Sequence, residues 1–210
     1  MSKKNQATIS WISGPVLHAR TRDAFCIYEA VLVGERELLG EIIRIEDDQI
    51  VIQVYEDTSG MRPGDRISGT GMPLSVKLGP YILGHIFDGL LRPLSRDGDK
   101  FIYPGARAAR PADFDFTPAV TSGQKLSPGC VIGNVTLASG KSQSCLLTPD
   151  LAGEVISVVN AGRYFDNQAI ATLRDAGGKV HEIQMNHWWP VRQARPVQQR
   201  YSATSPLLTG

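Results

Sequence analysis

Gly140-Lys141-Ser142 is the stretch whose residue types most invite chemistry, because it has the ending of a phosphate-binding loop. Such a loop needs another glycine five positions before Gly140, so that successive backbone N–H groups can wrap a phosphate. Val135 stands there, and no long helical pattern follows Ser142 to offer its N-terminus to an anion. The stretch therefore reads as a hairpin turn. A lysine at such a tip has one other use. Carrier domains present a biotinyl or lipoyl lysine on an exposed hairpin, flanked by Met, or by Asp and Ala, where this chain has Gly140 and Ser142. Lys141 thus marks an alternative: a free-standing barrel-sandwich carrier or binding domain.

The remaining candidates are weaker. Gly69-Thr70-Gly71 lacks the third glycine of a dinucleotide fingerprint and is expected to be a turn between strands. His181-Glu182 lacks the second histidine of a zinc-protease helix and reads as part of a solvated strand. His85 is expected to be a packed or capping histidine. Glu35, Glu37 and Glu41 could supply paired carboxylates, but acid–base work needs a concave site, and a charged hairpin surface suits them better. No Ser or Cys sits in a nucleophile-elbow setting. Cys26, Cys130 and Cys145 are odd in number, widely spaced and without C-x-x-C, so neither a disulfide framework nor a zinc site is expected and a reducing cytoplasm fits. No residue is assigned a catalytic, cofactor-binding or metal-binding role.

The elements that would position these residues are mostly strands. The chain has 210 residues, 21 Gly and 13 Pro, with 42% hydrophobic and 20% charged residues. This is the composition of a turn-rich globular protein with a real core. A net charge of +1 excludes a general nucleic-acid binder, which needs a dense basic face. No apolar run approaches the roughly 18 residues that span a bilayer, so a membrane role would act through partners.

Residues 1–78 read as about six short strands forming a small β-barrel. Glu41 to Ile45 alternates with Ile43 and Ile45 on one face, and Gln49 to Tyr55 places Ile50, Ile52 and Val54 together. In residues 79–99, Ile82, Leu83, Ile86, Phe87, Leu90 and Leu91 recur at helical spacing after Pro80, which predicts a short linking helix ending before Pro93. A Pro/Gly/Ala/Arg-rich stretch from Phe101 to Pro111 marks a boundary to a second unit, residues 100–188, in which strand-like patterning resumes from residue 114. Within it, 120–132 and 153–162 resemble each other as paired hammerheads do in barrel-sandwich domains. Residues 189–210 read as an extended linker carrying Arg192, Arg195 and Arg200 and no acidic residue.

Several segments together resemble the opening of the catalytic A subunit of V/A-type rotary ATPases. They are Ser13-Gly14-Pro15-Val16, Leu39 to Arg44, Gln53 to Gly60, Gly69 to Val76, Leu78 to Gly89 with Arg92-Pro93-Leu94, Trp189 to Val197, and Pro206 to Gly210. They run in family order, and residues 100–188 stand where the A subunit has a long insertion that the B and F-type subunits lack. The resemblance implies a mainly β chain: barrel, short helix and an outward barrel-sandwich bulge, leading toward a nucleotide-binding domain expected beyond Gly210. ATP and Mg2+ are implied for the complete subunit only, so this chain alone is expected to be inactive and unshifted in melting temperature by ATP and Mg2+. The expected partners are B subunits at the barrel and peripheral-stalk subunits at the bulge. The expected location is cytoplasmic, peripheral to the membrane, in a complex that couples ATP synthesis or hydrolysis to H+ or Na+ transport. Glu56, taken as an exposed hairpin residue, is expected to matter more to B-subunit assembly than to stability.

Overall fold

The computed structural model describes residues 4–94, 104–105, 112–137, 139–197, 199–200, 202 and 204. Six strands make a closed barrel: β1 (Gln6–Ser13), β2 (Val16–Thr21), β3 (Glu29–Val33), β4 (Leu38–Glu46), β5 (Gln49–Val54) and β6 (Arg66–Pro73). Their order around it is β1-β2-β5-β4-β3-β6. The β1–β2 hairpin turns on Gly14, whose φ of 55° supplies the positive dihedral such a tight turn demands, with Pro15 following. Ile50, Ile52 and Val54 point inward together, and with Ile9, Leu17 and Ile67 they fill the barrel. Closure leaves this sheet no free edge.

The alternation expected along β4 breaks. The register shifts between Ile42 and Arg44, so Ile42 is fully buried while Ile43 is 40% exposed. A bulge puts two residues opposite one and rotates the strand on either side of it. Glu41, opposite Gln53 on the outer face of the barrel, is nevertheless 1% exposed, because Tyr55 and Arg192 cover it, and so it is not on a charged hairpin surface.

The predicted linking helix is replaced by a three-residue 3-10 turn, Pro80–Ile82, and an irregular loop. Gly84 at φ 87° and Leu91 at φ 57° interrupt any helix. The Asp88 carboxylate accepts from the backbone N–H of Leu90 and Arg92, an alternative to helical bonding, and Phe87 bridges Pro93. Leu83 and Ile86, which the helix would have aligned on one face, are exposed.

The second half is a two-sheet sandwich. One sheet has the order β11-β10-β8-β13, from β8 (Asp113–Pro118), β10 (Val131–Thr136), β11 (Ser142–Leu146) and β13 (Gly162–Phe165). The other has the order β15-β14-β12-β9, from β9 (Lys125–Leu126), β12 (Gly153–Val158), β14 (Ala169–Arg174) and β15 (Val180–Gln184). Phe116, Ile132, Leu147, Ile170 and Leu173 form the core between them. The two similar segments interlock: β9 pairs with β12, Gly123 N–H donates to the Val155 carbonyl, and Val155 N–H donates to that of Gln124. A ribbon of β7 (Ser75–Leu78) and β16 (His187–Pro190) stands where the chain leaves the barrel and returns.

Candidate functional site

The residues singled out by sequence do not converge. Lys141 is exposed at the tip of the β10–β11 hairpin, where Leu137 N–H donates to its carbonyl and Gly140 N–H donates to that of Leu137. Gly69-Thr70-Gly71 lies within β6 rather than in a turn between strands. There a Cβ on Gly69 would meet Glu29 Oε1 at 2.5 Å, and Gly71 N–H donates to that same oxygen at 2.9 Å. These glycines make room for a buried carboxylate. His85 is exposed beside Phe87 rather than packed or capping. His181 lies on β15, its Nε2 2.7 Å from Asp175 Oδ2, while Asp175 Oδ1 accepts from the N–H groups of Gly177 and Lys179. The Asp175 carboxyl is held below its usual range, first by His181. All three cysteines are free, and burial pushes the Cys145 thiol up to about 11. Among the described residues no cluster of three or more His, Cys, Asp or Glu side chains is arranged to hold a metal ion.

Besides Glu29, the structure gathers charge at three further carboxylates with buried side chains, which the sequence did not reveal as a group. Glu41, on β4, accepts from Arg192 Nε at 3.1 Å and from an Arg192 terminal nitrogen at 2.6 Å, across 151 residues. The Tyr55 hydroxyl donates to Glu41 Oε2 at 2.8 Å, and the Arg192 guanidinium lies 5.0 Å from the Tyr28 ring centroid. The forked bond from Arg192 is the main reason the Glu41 carboxyl stays below its usual range, against the opposing effect of burial.

Glu56, the residue after Tyr55, is also not the exposed hairpin side chain expected. Its side chain is 5% exposed, and it accepts from Leu39 N–H at 3.0 Å, Arg92 at 2.9 Å and Gly105 N–H at 2.7 Å. Arg92 is in turn paired with Asp88 at 2.6 Å. The third carboxylate, Asp166, follows β13. Its Oδ2 accepts from Lys77 Nζ at 3.2 Å and Asn186 Nδ2 at 2.9 Å, and Asn186 Nδ2 also donates to the Asp166 carbonyl.

A cleft of about 320 Å³ lies between the outer wall of the barrel and the 90–92 segment, lined by Leu32, Leu39, Leu74, Leu91 and Trp188. Glu56 and Arg92 stand at it, but each is spent on the other. Each of the three carboxylates is bonded to a group far away in sequence, so what the arrangement does chemically is hold distant segments together. Sequence signalled the basic partners, Arg92 and Arg192, within the family-like segments. Glu41 and Glu56 lie in such segments too, but nothing in the sequence pairs these acids with those bases.

Comparison with known proteins agrees with these two halves. Residues 9–71 match the model of the ATP synthase alpha/beta family, beta-barrel domain, and residues 107–192 match that of the ATPsynthase alpha/beta subunit barrel-sandwich domain. The chain is 40% identical over 216 residues to a V-type ATP synthase alpha chain of Halothermothrix orenii, covering 100% of this chain and 36% of that protein. It is 42% identical over 206 residues to the A subunit of an A-type ATP synthase of Thermococcus kodakarensis, covering 95% and 35%. With the A subunit of an A-type ATP synthase of Methanopyrus kandleri the identity is 38% over 216 residues, covering 100% and 36%. The chain thus spans about a third of the length of these relatives.

Proposed function

Since the chain belongs to the ATP synthase alpha/beta family, with that family's beta-barrel and barrel-sandwich domains, we propose that it is the assembly portion of the A subunit of a V/A-type ATP synthase. The observation that carries this reading is the joint match of barrel and sandwich, in order, at about 40% identity to proteins of that name. Its task is to hold neighbouring subunits in place while nucleotide chemistry proceeds elsewhere in the complete subunit.

In this role the barrel contacts B subunits, since a closed, rigid strand wall suits a collar that must not deform. The sandwich, standing on its ribbon, reaches the peripheral stalk. ATP and Mg2+ are bound by other parts of the complete subunit, and the complex moves H+ or Na+ at a membrane to which this portion is peripheral. No helix among the described residues is long and apolar enough to cross a membrane.

The test is to mix the purified chain with the B subunit of a V/A-type ATP synthase and measure mass by light scattering after size exclusion. The proposal expects a mixed complex that forms without ATP. Separate elution of the two at micromolar concentration overturns it.

A further inference from the structure

Both passes of chain between barrel and sandwich are gripped at one corner of the barrel. Tyr55 and Glu56 follow β5 directly, and Tyr55 N–H donates to the Leu39 carbonyl while Glu56 Oε1 accepts from Leu39 N–H. This ties the corner to β4, the strand that carries Glu41. The outgoing pass is held by Arg92 and Gly105 N–H on Glu56. The returning pass is held by Arg192 on Glu41, with Tyr55 bonded to the same carboxylate.

We infer that Arg92 and Arg192 form a double latch at the base of the sandwich, closing on the Glu41–Tyr55–Glu56 corner and fixing the direction in which the chain leaves and re-enters the barrel. Three observations support a latch rather than incidental pairing. The acids are almost fully buried, at 1% for Glu41 and 5% for Glu56, so release leaves an uncompensated charge in the protein and is strongly opposed. The Arg192 side chain is 58% exposed, so the latch can open without unpacking the core. Tyr28 is held at φ 65°, an unfavourable dihedral for a bulky residue, with its N–H bonded to the Ile42 carbonyl. That conformation places its ring against the Arg192 guanidinium. A forked guanidinium matches a carboxylate as an ammonium cannot, so lysine is a poor substitute at either position.

The test uses the full 210-residue chain and residue-resolved amide hydrogen exchange in Arg192→Gln, Arg192→Lys and Arg92→Gln. Arg192→Gln is expected to speed exchange at Val191, whose N–H is bonded to the Leu74 carbonyl, by roughly tenfold or more. Arg192→Lys restores only part of that protection. Arg92→Gln is expected to speed exchange at Asp88 and Leu94 by a similar factor, since their N–H bonds close the outgoing loop. In every variant Ile9 and Val54, bonded to Asp65 and Pro15 on the barrel, keep wild-type protection. Unchanged exchange at Val191 in Arg192→Gln overturns the latch. So does a uniform loss that includes Ile9 and Val54, which would make these pairs general supports of the barrel fold.

Discussion

Lys77 and Asp166 meet at 3.2 Å across 89 residues of chain, joining the β7–β16 ribbon to the loop that follows β13 in the sandwich. Asp166 is 2% exposed and also receives the buried amide of Asn186, while Gly79 packs so closely that a Cβ there would sit 2.7 Å from Asn186 Cβ. The sandwich is therefore seated on its ribbon by polar pairing as well as by chain continuity.

Lys77→Met removes the cation and leaves the Asp166 carboxylate buried with Asn186 alone. This should cost about 3–5 kcal/mol. Asp166→Asn removes the charge but keeps an acceptor for Asn186, and should cost less. Urea denaturation of the two variants checks the order, and a milder Lys77→Met would contradict the pairing described.

Glu56→Lys should lower stability by at least about 3 kcal/mol, because it opposes Arg92 in a nearly buried site and abandons the Leu39 and Gly105 N–H groups. The denaturation midpoint of the isolated chain should fall with little change in slope. An unchanged midpoint would mean that Glu56 is free on the surface.

The Glu41 pair predicts a dependence on acid. Its carboxyl titrates below its ordinary value of 4.5 in the folded chain, chiefly because Arg192 bonds the charged form. The stabilisation is therefore complete above that ordinary value and is lost as pH falls through the lower folded value. Melting curves of wild type and Glu41→Gln should be furthest apart near neutrality and converge in acid. A gap that persists at the lowest pH would show that packing of the side chain, rather than its charge, supplies the difference.

His187 gives a second window. Its Nε2 accepts from Arg195 at 2.8 Å, which requires neutral imidazole, and burial and then the Arg195 charge lower its affinity for a proton. The unfolded chain protonates this residue first, so stability is lost as pH falls from about 6.5 toward the depressed folded value. His187→Gln should flatten the melting curve across that interval, measured as Tm against pH. An unaltered slope would rule out His187 as its source.

Legibility in the sequence followed the range of each interaction. Ile50, Ile52 and Val54 face inward as their alternation predicts, because a hairpin strand expresses its pattern within six residues. The Ile42–Arg44 bulge is invisible to alternation, since a bulge depends on the partner strand, and it leaves Ile43 exposed where the pattern had it facing in with Ile45. Helical spacing from Ile82 to Leu91 misled because Asp88 offers the backbone a better local bond and Gly84 and Leu91 take positive φ. The mostly long-range polar pairs, Glu56–Arg92, Lys77–Asp166 and Glu41–Arg192, leave no local pattern at all.

Leu78 and His187 face each other in the ribbon, so the whole sandwich begins and ends at adjacent positions on one ladder. In terms of connectivity it is an oversized hairpin loop. A detour whose ends already touch adds little closure entropy when it grows or shrinks. The barrel can therefore tolerate great variation in what hangs from that point, and a tight two-residue turn between β7 and β16 would restore an uninterrupted hairpin.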